Sequence, residues 1–537
     1  SPPEPGGSKD SPLITAEPDH ARRMVAAVLK SRLLRKRGCG VGLQALLESG
    51  TGTEQRISRQ QYARQQDRLR VDLVNAQFDL LEVKLPVVVL IAGDDRIGIN
   101  EVVQVLHAWM DARYLDTRIA LEPTPQELQH PPFWPFWRAL PPRGRIGLYV
   151  GGWVAAPIRG RLAKDLDDDA FEAYLGHAAR FEQALAADGA LVLKLWLHLP
   201  RKELKRRLAG ERPDEDAAWQ IQDSDSAVLN EWYRWVPLAD RLLEATDSPT
   251  ARWHVIDGTH ERARNLTAAR IILAGLQRLL ARRTSRPGGN SRRGRQPVRY
   301  PNALAAIDLA MRFSEDDAYE AALDKQQGAL ARLTREAREE GLSSVVVLEG
   351  WDAAGKGGAI RRLTRAMEVR DYRVVPIAVP TPEEQAHHYL WRFWRHLPTA
   401  GQMTIFDRSW YGRVLVERVE GFARPEAWER AYDEILDFER QLLEHGTVLL
   451  KFWLHIDADE QLDRFAAREK TPFKKYRIGT DDYRNRARRA DYVSAANEMV
   501  ARTSTKSAPW HLIPANDKRY ARVAVARTRC GALRKAL

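Results

Sequence analysis

The chain repeats itself once, at long range. Gly93 closes the apolar run Val87-Val88-Val89-Leu90-Ile91-Ala92, and Gly350 closes Ser344-Val345-Val346-Val347-Leu348-Glu349, 257 residues later. The same offset joins Tyr62 to Tyr319, Leu73 to Leu330, Asp95 to Asp352 and Gly98 to Gly355. It joins Pro123-Thr124-Pro125 to Pro380-Thr381-Pro382, and Phe136 and Arg138 to Phe393 and Arg395. Five tryptophans obey it: Trp134, Trp137, Trp153, Trp196 and Trp253 pair with Trp391, Trp394, Trp410, Trp453 and Trp510. So long a period is a duplicated domain and not a solenoid of short units. A chain of 537 residues is also too long for one hydrophobic core.

Within each copy, apolar runs alternate with amphipathic stretches. In the second copy we expect a helix over 317–339, a strand over 345–348, a loop and helix over 355–367 and a strand over 373–379. A helix over 382–395, a strand over 403–406, a helix over 425–445 and a strand over 447–456 follow. A charged helical region over 459–502 and a strand over 510–513 complete the copy. Strands that read as continuous apolar runs between helices imply a parallel sheet covered on both faces, an α/β fold. The expected domains are an N-terminal extension, 1–58, partly disordered; a first copy, 59–281; a linker, 282–299; and a second copy, 300–537. The linker reading rests on Arg, Gly, Ser and Pro between Arg282 and Arg295. Its arginines could also touch a polyanion.

The net charge of +12 favours a polyanionic partner such as nucleic acid, an anionic membrane or a phosphate polymer. Two cysteines, Cys39 and Cys530, make neither a disulfide framework nor a zinc site. No run approaches the roughly 20 apolar residues of a membrane span, and no signal-peptide core is evident near the start. We therefore expect a cytoplasmic protein without a membrane partner.

The second copy carries the chemistry. Gly350-Trp351-Asp352-Ala353-Ala354-Gly355-Lys356 fits the G-x-x-x-x-G-K phosphate loop, after a buried strand and before a helix. Glycines let backbone N–H groups curl around phosphate oxygens, the helix N-terminus adds positive potential, and Lys356 adds a mobile cation. The residue after Lys356 is Gly357, where Ser or Thr commonly ligates Mg²⁺. Metal binding therefore passes to Asp352 in the loop and to Asp407, which ends the run Thr404-Ile405-Phe406 where a Walker-B carboxylate belongs. Arg408 and Arg413 follow. The basic stretch Arg468-Glu469-Lys470 to Lys474-Lys475-Tyr476-Arg477 could be a lid over the transferred group, or a solvated helix end.

These three segments, in this order, resemble the polyphosphate kinase 2 family. The tandem layout resembles its two-domain branch, the polyphosphate:AMP phosphotransferases, from about Tyr62 to the C-terminus without the linker. The resemblance implies a fold like thymidylate kinase, Mg²⁺ as cofactor, and phosphoryl transfer from inorganic polyphosphate to AMP, giving ADP. Carried over residue by residue, it makes Asp352, Lys356, Asp407, Arg408 and Arg413 the catalytic set. Gly350, Ala353, Ala354, Gly355, Gly357, Gly358, Arg361 and Arg362 would bind phosphate or nucleotide. Arg468, Lys470, Lys474, Lys475 and Arg477 would form the lid, and Asp352 and Asp407 would hold metal. A polyphosphate kinase forming triphosphates from diphosphates, and a non-catalytic polyphosphate or nucleic-acid binder, are the alternatives. A dedicated nucleic-acid partner is not expected, and a homo-oligomer is left open.

At the repeat offset Lys356 becomes Ile99, Asp407 becomes Val150, Arg408 becomes Gly151 and Arg413 becomes Ala156. Lys474, Lys475 and Arg477 become Ala217, Ala218 and Gln220, while Gly93, Asp95 and Gly98 remain. The expectation is one working site in the second copy, and a disarmed version of the same loop at Gly93–Asn100 in the first.

Overall fold

The computed structural model describes residues 57–209, 223–284, 300–472 and 478–537. The extension up to residue 56, most of the linker, Cys39, the lid positions Lys474, Lys475 and Arg477, and the compared positions 217, 218 and 220 lie outside these residues.

The chain forms two compact units. The first is built on strands β1 (Val87–Gly93), β2 (Leu115–Ile119), β3 (Ile146–Val150), β4 (Leu191–His198) and β5 (Trp253–Asp257). They pair in the order β2-β3-β1-β4-β5, all parallel. Helices α1 (Arg59–Val83), α2 (Arg96–Trp109), α3 (Gly152–Ala163), α4 (Asp168–Ala187), α5 (Arg201–Leu208), α6 (Asp223–Asn230), α7 (Trp232–Thr246) and α8 (Glu261–Thr284) complete the copy. The second copy has β6 (Ser344–Gly350), β7 (Tyr372–Pro376), β8 (Met403–Asp407), β9 (Val448–His455) and β10 (Trp510–Pro514) in the equivalent order, again all parallel. Its main helices are α9 (Asp316–Glu339), α10 (Lys356–Thr364), α11 (Pro425–Glu444), α12 (Ala458–Glu469), α13 (Thr480–Ala487), α14 (Arg489–Thr503) and α15 (Lys518–Ala536).

The 257-residue offset survives in three dimensions, down to register. Val87 pairs with Ile146 in the first sheet, and Ser344 with Met403 in the second. Buried chemistry is copied too. Lys194 Nζ lies 2.7 Å from Glu182 and donates to the Thr246 carbonyl, while Trp153 Nε1 donates to Glu182. Lys451, Glu439, Thr503 and Trp410 repeat that arrangement, again with a 2.7 Å ion pair. Both lysine side chains are fully buried, so each needs its carboxylate and carbonyl partners to remain folded.

Two expectations of secondary structure change. The helix over 382–395 is two single turns, Pro382–Gln385 and Trp391–Trp394. Aromatic packing overrides helical continuity there: Phe393 meets Phe406 and Trp410, and Trp394 meets Phe438. The strand over 373–379 stops at Pro376. The compact units are also discontinuous in sequence. Leu121–Gly144 and Gln183–Ala190 belong with the second unit, where Trp137 stacks on Trp394 at 5.8 Å and Asp188 pairs with Arg143 and Arg430.

Candidate functional site

The phosphate loop leaves the middle strand of the second sheet. Val345 to Leu348 of β6 are fully buried between β8 and β9, so the strand end is a rigid platform. Gly350 has φ +136°, and a Cβ there would lie 2.3 Å from the Leu454 carbonyl oxygen. Only glycine fits so close to β9. Ala353 then takes φ +65°, a left-handed conformation that costs a Cβ-bearing residue about 1 kcal/mol or more. This left-handed turn interrupts the helical path, and α10 starts only at Lys356.

Lys356 Nζ donates to the carbonyls of Gly350 at 2.7 Å and Trp351 at 3.1 Å, clasping the loop from inside. Burial, and then repulsion from Arg408, pushes its pKa below the usual lysine range. An incoming phosphate would reverse that tendency. Asp352 projects away from the loop. Its Oδ1 accepts from Arg408 Nη2 at 2.6 Å and its Oδ2 from Asn485 Nδ2 at 3.0 Å. Its carbonyl accepts from Gln461 Nε2 at 3.1 Å. Arg464 Nη1 donates to the carbonyls of Ala353 and Ala354, both at 2.9 Å, and its Nη2 reaches Ala515 O and Asn516 O. The indole of Trp351 donates to His455 Nδ1 at 3.0 Å, with the Arg489 guanidinium 4.0 Å from the ring centroid.

Asp407 ends β8 beside the loop. Among the described residues its carboxylate has no hydrogen bond or ion pair, yet Lys356 and Arg408 both sense its charge. Arg408 follows with φ +66°, a second left-handed residue at the site. Behind it, Ser409 Oγ donates to the buried Glu349 at 2.7 Å, and burial raises the Glu349 pKa.

Asp352, Lys356, Asp407 and Arg408 are thus brought together. Gly357 and Gly358 form the first turn of α10, with Arg361 exposed and Arg362 partly exposed one turn on. Arg413 is not brought to the loop: it pairs with Glu417 at 3.2 Å and lies over the Tyr389 ring at 4.4 Å. Arg468 lies at the C-terminal end of α12 and the exposed Lys470 follows it. Asn485, Gln461, Arg464 and Glu349 were missed from sequence. The repeat held a signal for three of them, since Asn485 becomes Val228, Gln461 becomes Leu204 and Glu349 becomes Ala92.

Two carboxylates beside a phosphate loop fit Mg²⁺, a hard cation that takes one or two carboxylates and completes its shell with water and substrate phosphate. The described residues include no cluster of three His, Cys, Asp or Glu for an all-protein metal cage. The Asp407 carboxylate, unpartnered among the described residues, is the observation that accommodates such an ion.

The first unit departs from the expected disarmed loop. Its helix α2 begins at Arg96, the counterpart of Ala353, so the loop has wound into an extra turn. Asp95 caps that turn, accepting from Gly98 N at 2.9 Å, and is held by Arg207 at 2.7 Å and Arg264 at 3.4 Å. Ile99 packs in the core with Ile91, Val102 and Leu106. Gly151, the counterpart of Arg408, keeps a similar left-handed φ, +69°, now without strain.

Residues 56–283 and 313–536 each match the family described as Polyphosphate kinase 2 (PPK2). The chain is 45% identical over 481 residues to a polyphosphate:AMP phosphotransferase of Pseudomonas aeruginosa, covering 88% of this chain and 95% of that one. It is 37% identical over 470 residues to a polyphosphate:AMP phosphotransferase of Acinetobacter johnsonii, covering 86% and 95%. A crystal structure of a polyphosphate kinase 2 from Pseudomonas aeruginosa superposes with TM-score 0.80 at 44% identity, over 90% of this chain and 98% of that one. With both halves matched and the similarity running nearly end to end, the chain belongs to the polyphosphate kinase 2 family.

Proposed function

We propose that the chain transfers phosphoryl groups from inorganic polyphosphate to AMP, giving ADP, with Mg²⁺ and at a single site in the second unit. The observation that carries this reading is the convergence of Asp352, Lys356, Asp407 and Arg408 on one strained loop. Similarity to polyphosphate:AMP phosphotransferases over most of the chain supplies the substrates.

Phosphoryl transfer needs positioning and charge neutralisation more than covalent help. Lys356 and Arg408 supply positive charge at the transferring group, and the N-terminus of α10 adds its dipole. Asp352 and Asp407 would hold the metal, which when bound neutralises phosphate oxygens. The AMP phosphate, with a second pKa near ~6, is already largely dianionic at neutral pH. Asp352 therefore orients the acceptor and need not deprotonate it. Arg413 acts one layer out, and the basic segment Arg468, Lys470, Lys474, Lys475 and Arg477 closes over the reaction. In this reading 59–281 is a catalytically silent copy, 282–299 a linker and 300–537 the catalytic domain. A cytoplasmic location belongs to the same reading. Among the described residues no helix is long and apolar enough to cross a membrane.

The test is to incubate the protein with Mg²⁺, long-chain polyphosphate and, separately, AMP, ADP, GMP or GDP, and to resolve the products. ADP formed from AMP supports the proposal. Triphosphates formed from ADP or GDP, with AMP unchanged, would favour the diphosphate-kinase alternative, and no turnover with any acceptor would favour a binding protein.

A further inference from the structure

Asp95 and Asp352 hold the same place in the repeat but point in opposite directions. Asp95 turns back onto its own chain, accepts from Gly98 N and caps a helix that starts at Arg96. Asp352 turns outward, to Arg408 and Asn485, and its helix starts three positions later in the repeat register. An Asp at this position therefore has two settings. In one, the loop winds up and the carboxylate caps the new turn. In the other, the loop stays open and its amides remain available to phosphate.

Each setting has its own charged partners. In the first unit Arg207 and Arg264 hold the capping carboxylate, and position 264 becomes Ala521 in the second unit. In the second unit Arg408 and Asn485 hold it outward, against the strain at Ala353. The winding unit lacks both outward donors, with Gly151 in place of Arg408 and Val228 in place of Asn485. Resting on the phosphotransferase reading above, we propose that Asn485 is a positioning residue that keeps the phosphate loop open by holding Asp352 out of the helix-capping position.

The carboxamide is oriented for the task. Its Oδ1 lies 3.3 Å from the Tyr492 hydroxyl, which is also 3.4 Å from Glu420 Oε1. This turns the NH₂ group toward Asp352. In the first unit Tyr492 and Glu420 become Trp235 and Ala163, so the whole relay is lost with the open loop. Asn485 sits on α13 and joins that helix to the loop.

The test uses the full chain and measures tripolyphosphate binding by calorimetry, with Mg²⁺ and without nucleotide. Asn485→Val installs the first unit's residue at the same helical position. It should weaken tripolyphosphate binding by about tenfold, in line with one charged hydrogen bond. In an Asp352→Ala background, where no carboxylate remains to swing into the cap, the same substitution should change affinity by less than about twofold. Asn485→Ala, with circular dichroism melts of every variant, replaces Asn485→Val should the latter not fold. Unchanged binding in the single variant, or an equal loss in the Asp352→Ala background, overturns the proposal. A wild-type chain that binds no tripolyphosphate overturns the polyphosphate reading instead.

Discussion

Lys356 and Asp407 hold complementary positions, one inside the loop and one at the end of the neighbouring strand. Lys356→Ala and Asp407→Asn should each lower turnover by at least about a thousandfold, the scale of losing one preorganised charge at a transferring phosphoryl group. Initial-rate assays at saturating AMP check this, and retained activity in either variant would remove that residue from the site. His455 gives a second prediction. Burial, and then the Arg489 charge, depress its pKa from 6.5 to about 4. Its Nδ1 must stay unprotonated to accept from Trp351. Between about pH 6.5 and pH 4 the unfolded chain takes up a proton that the folded chain refuses. His455 therefore makes stability fall as pH drops through that window, by at most about 1.4 kcal/mol per pH unit. Urea titrations across the window should show a shallower slope for His455→Gln. Lys356, Asp407 and Arg408 were legible from sequence because motif spacing and strand ends reveal them. Asn485 was not: it reaches Asp352 across 133 residues of chain, and single-sequence spacing carries no such distance.

At the level of elements, the buried pairs Lys194–Glu182 and Lys451–Glu439 each join a sheet strand to the helix before it. Lys451→Met leaves Glu439 as a buried, unpaired carboxylate and should destabilise the protein by about 3–5 kcal/mol. Lys451→Met with Glu439→Gln should recover part of that loss in a thermal melt. Equal melting temperatures for the single and double variants would show that the pair is not coupled. The parallel sheet and the 257-residue repeat were readable from apolar runs and tryptophan spacing; the strand order was not. The two single turns in 382–395 were not, because cross-element aromatic contacts interrupt them and no Pro or Gly marks the break. The extra turn of α2 escaped for a related reason. Gly93, Asp95 and Gly98 look like a loop in sequence, and the contacts that hold the wound turn, from Arg207 and Arg264 to Asp95, come from far along the chain.

For the whole chain, duplication predicts a stoichiometry. With one open loop in two homologous units, calorimetry should find one AMP bound per chain in the presence of Mg²⁺, and none after a substitution that closes the second unit's loop. Two equivalent sites per chain would contradict the silent-copy reading. The net charge of +12 also predicts that polyphosphate binding weakens steeply with salt while AMP binding changes less, since screening acts most on a polyanion spread over many cationic side chains. Parallel titrations at low and high ionic strength would show the difference.

The added turn of α2 also closes position 99 to a cation. A lysine placed there would set an ammonium among Ile91, Val102 and Leu106, where an uncompensated charge is strongly disfavoured. Ile99→Lys should therefore lower the melting temperature of the chain, which a thermal melt checks.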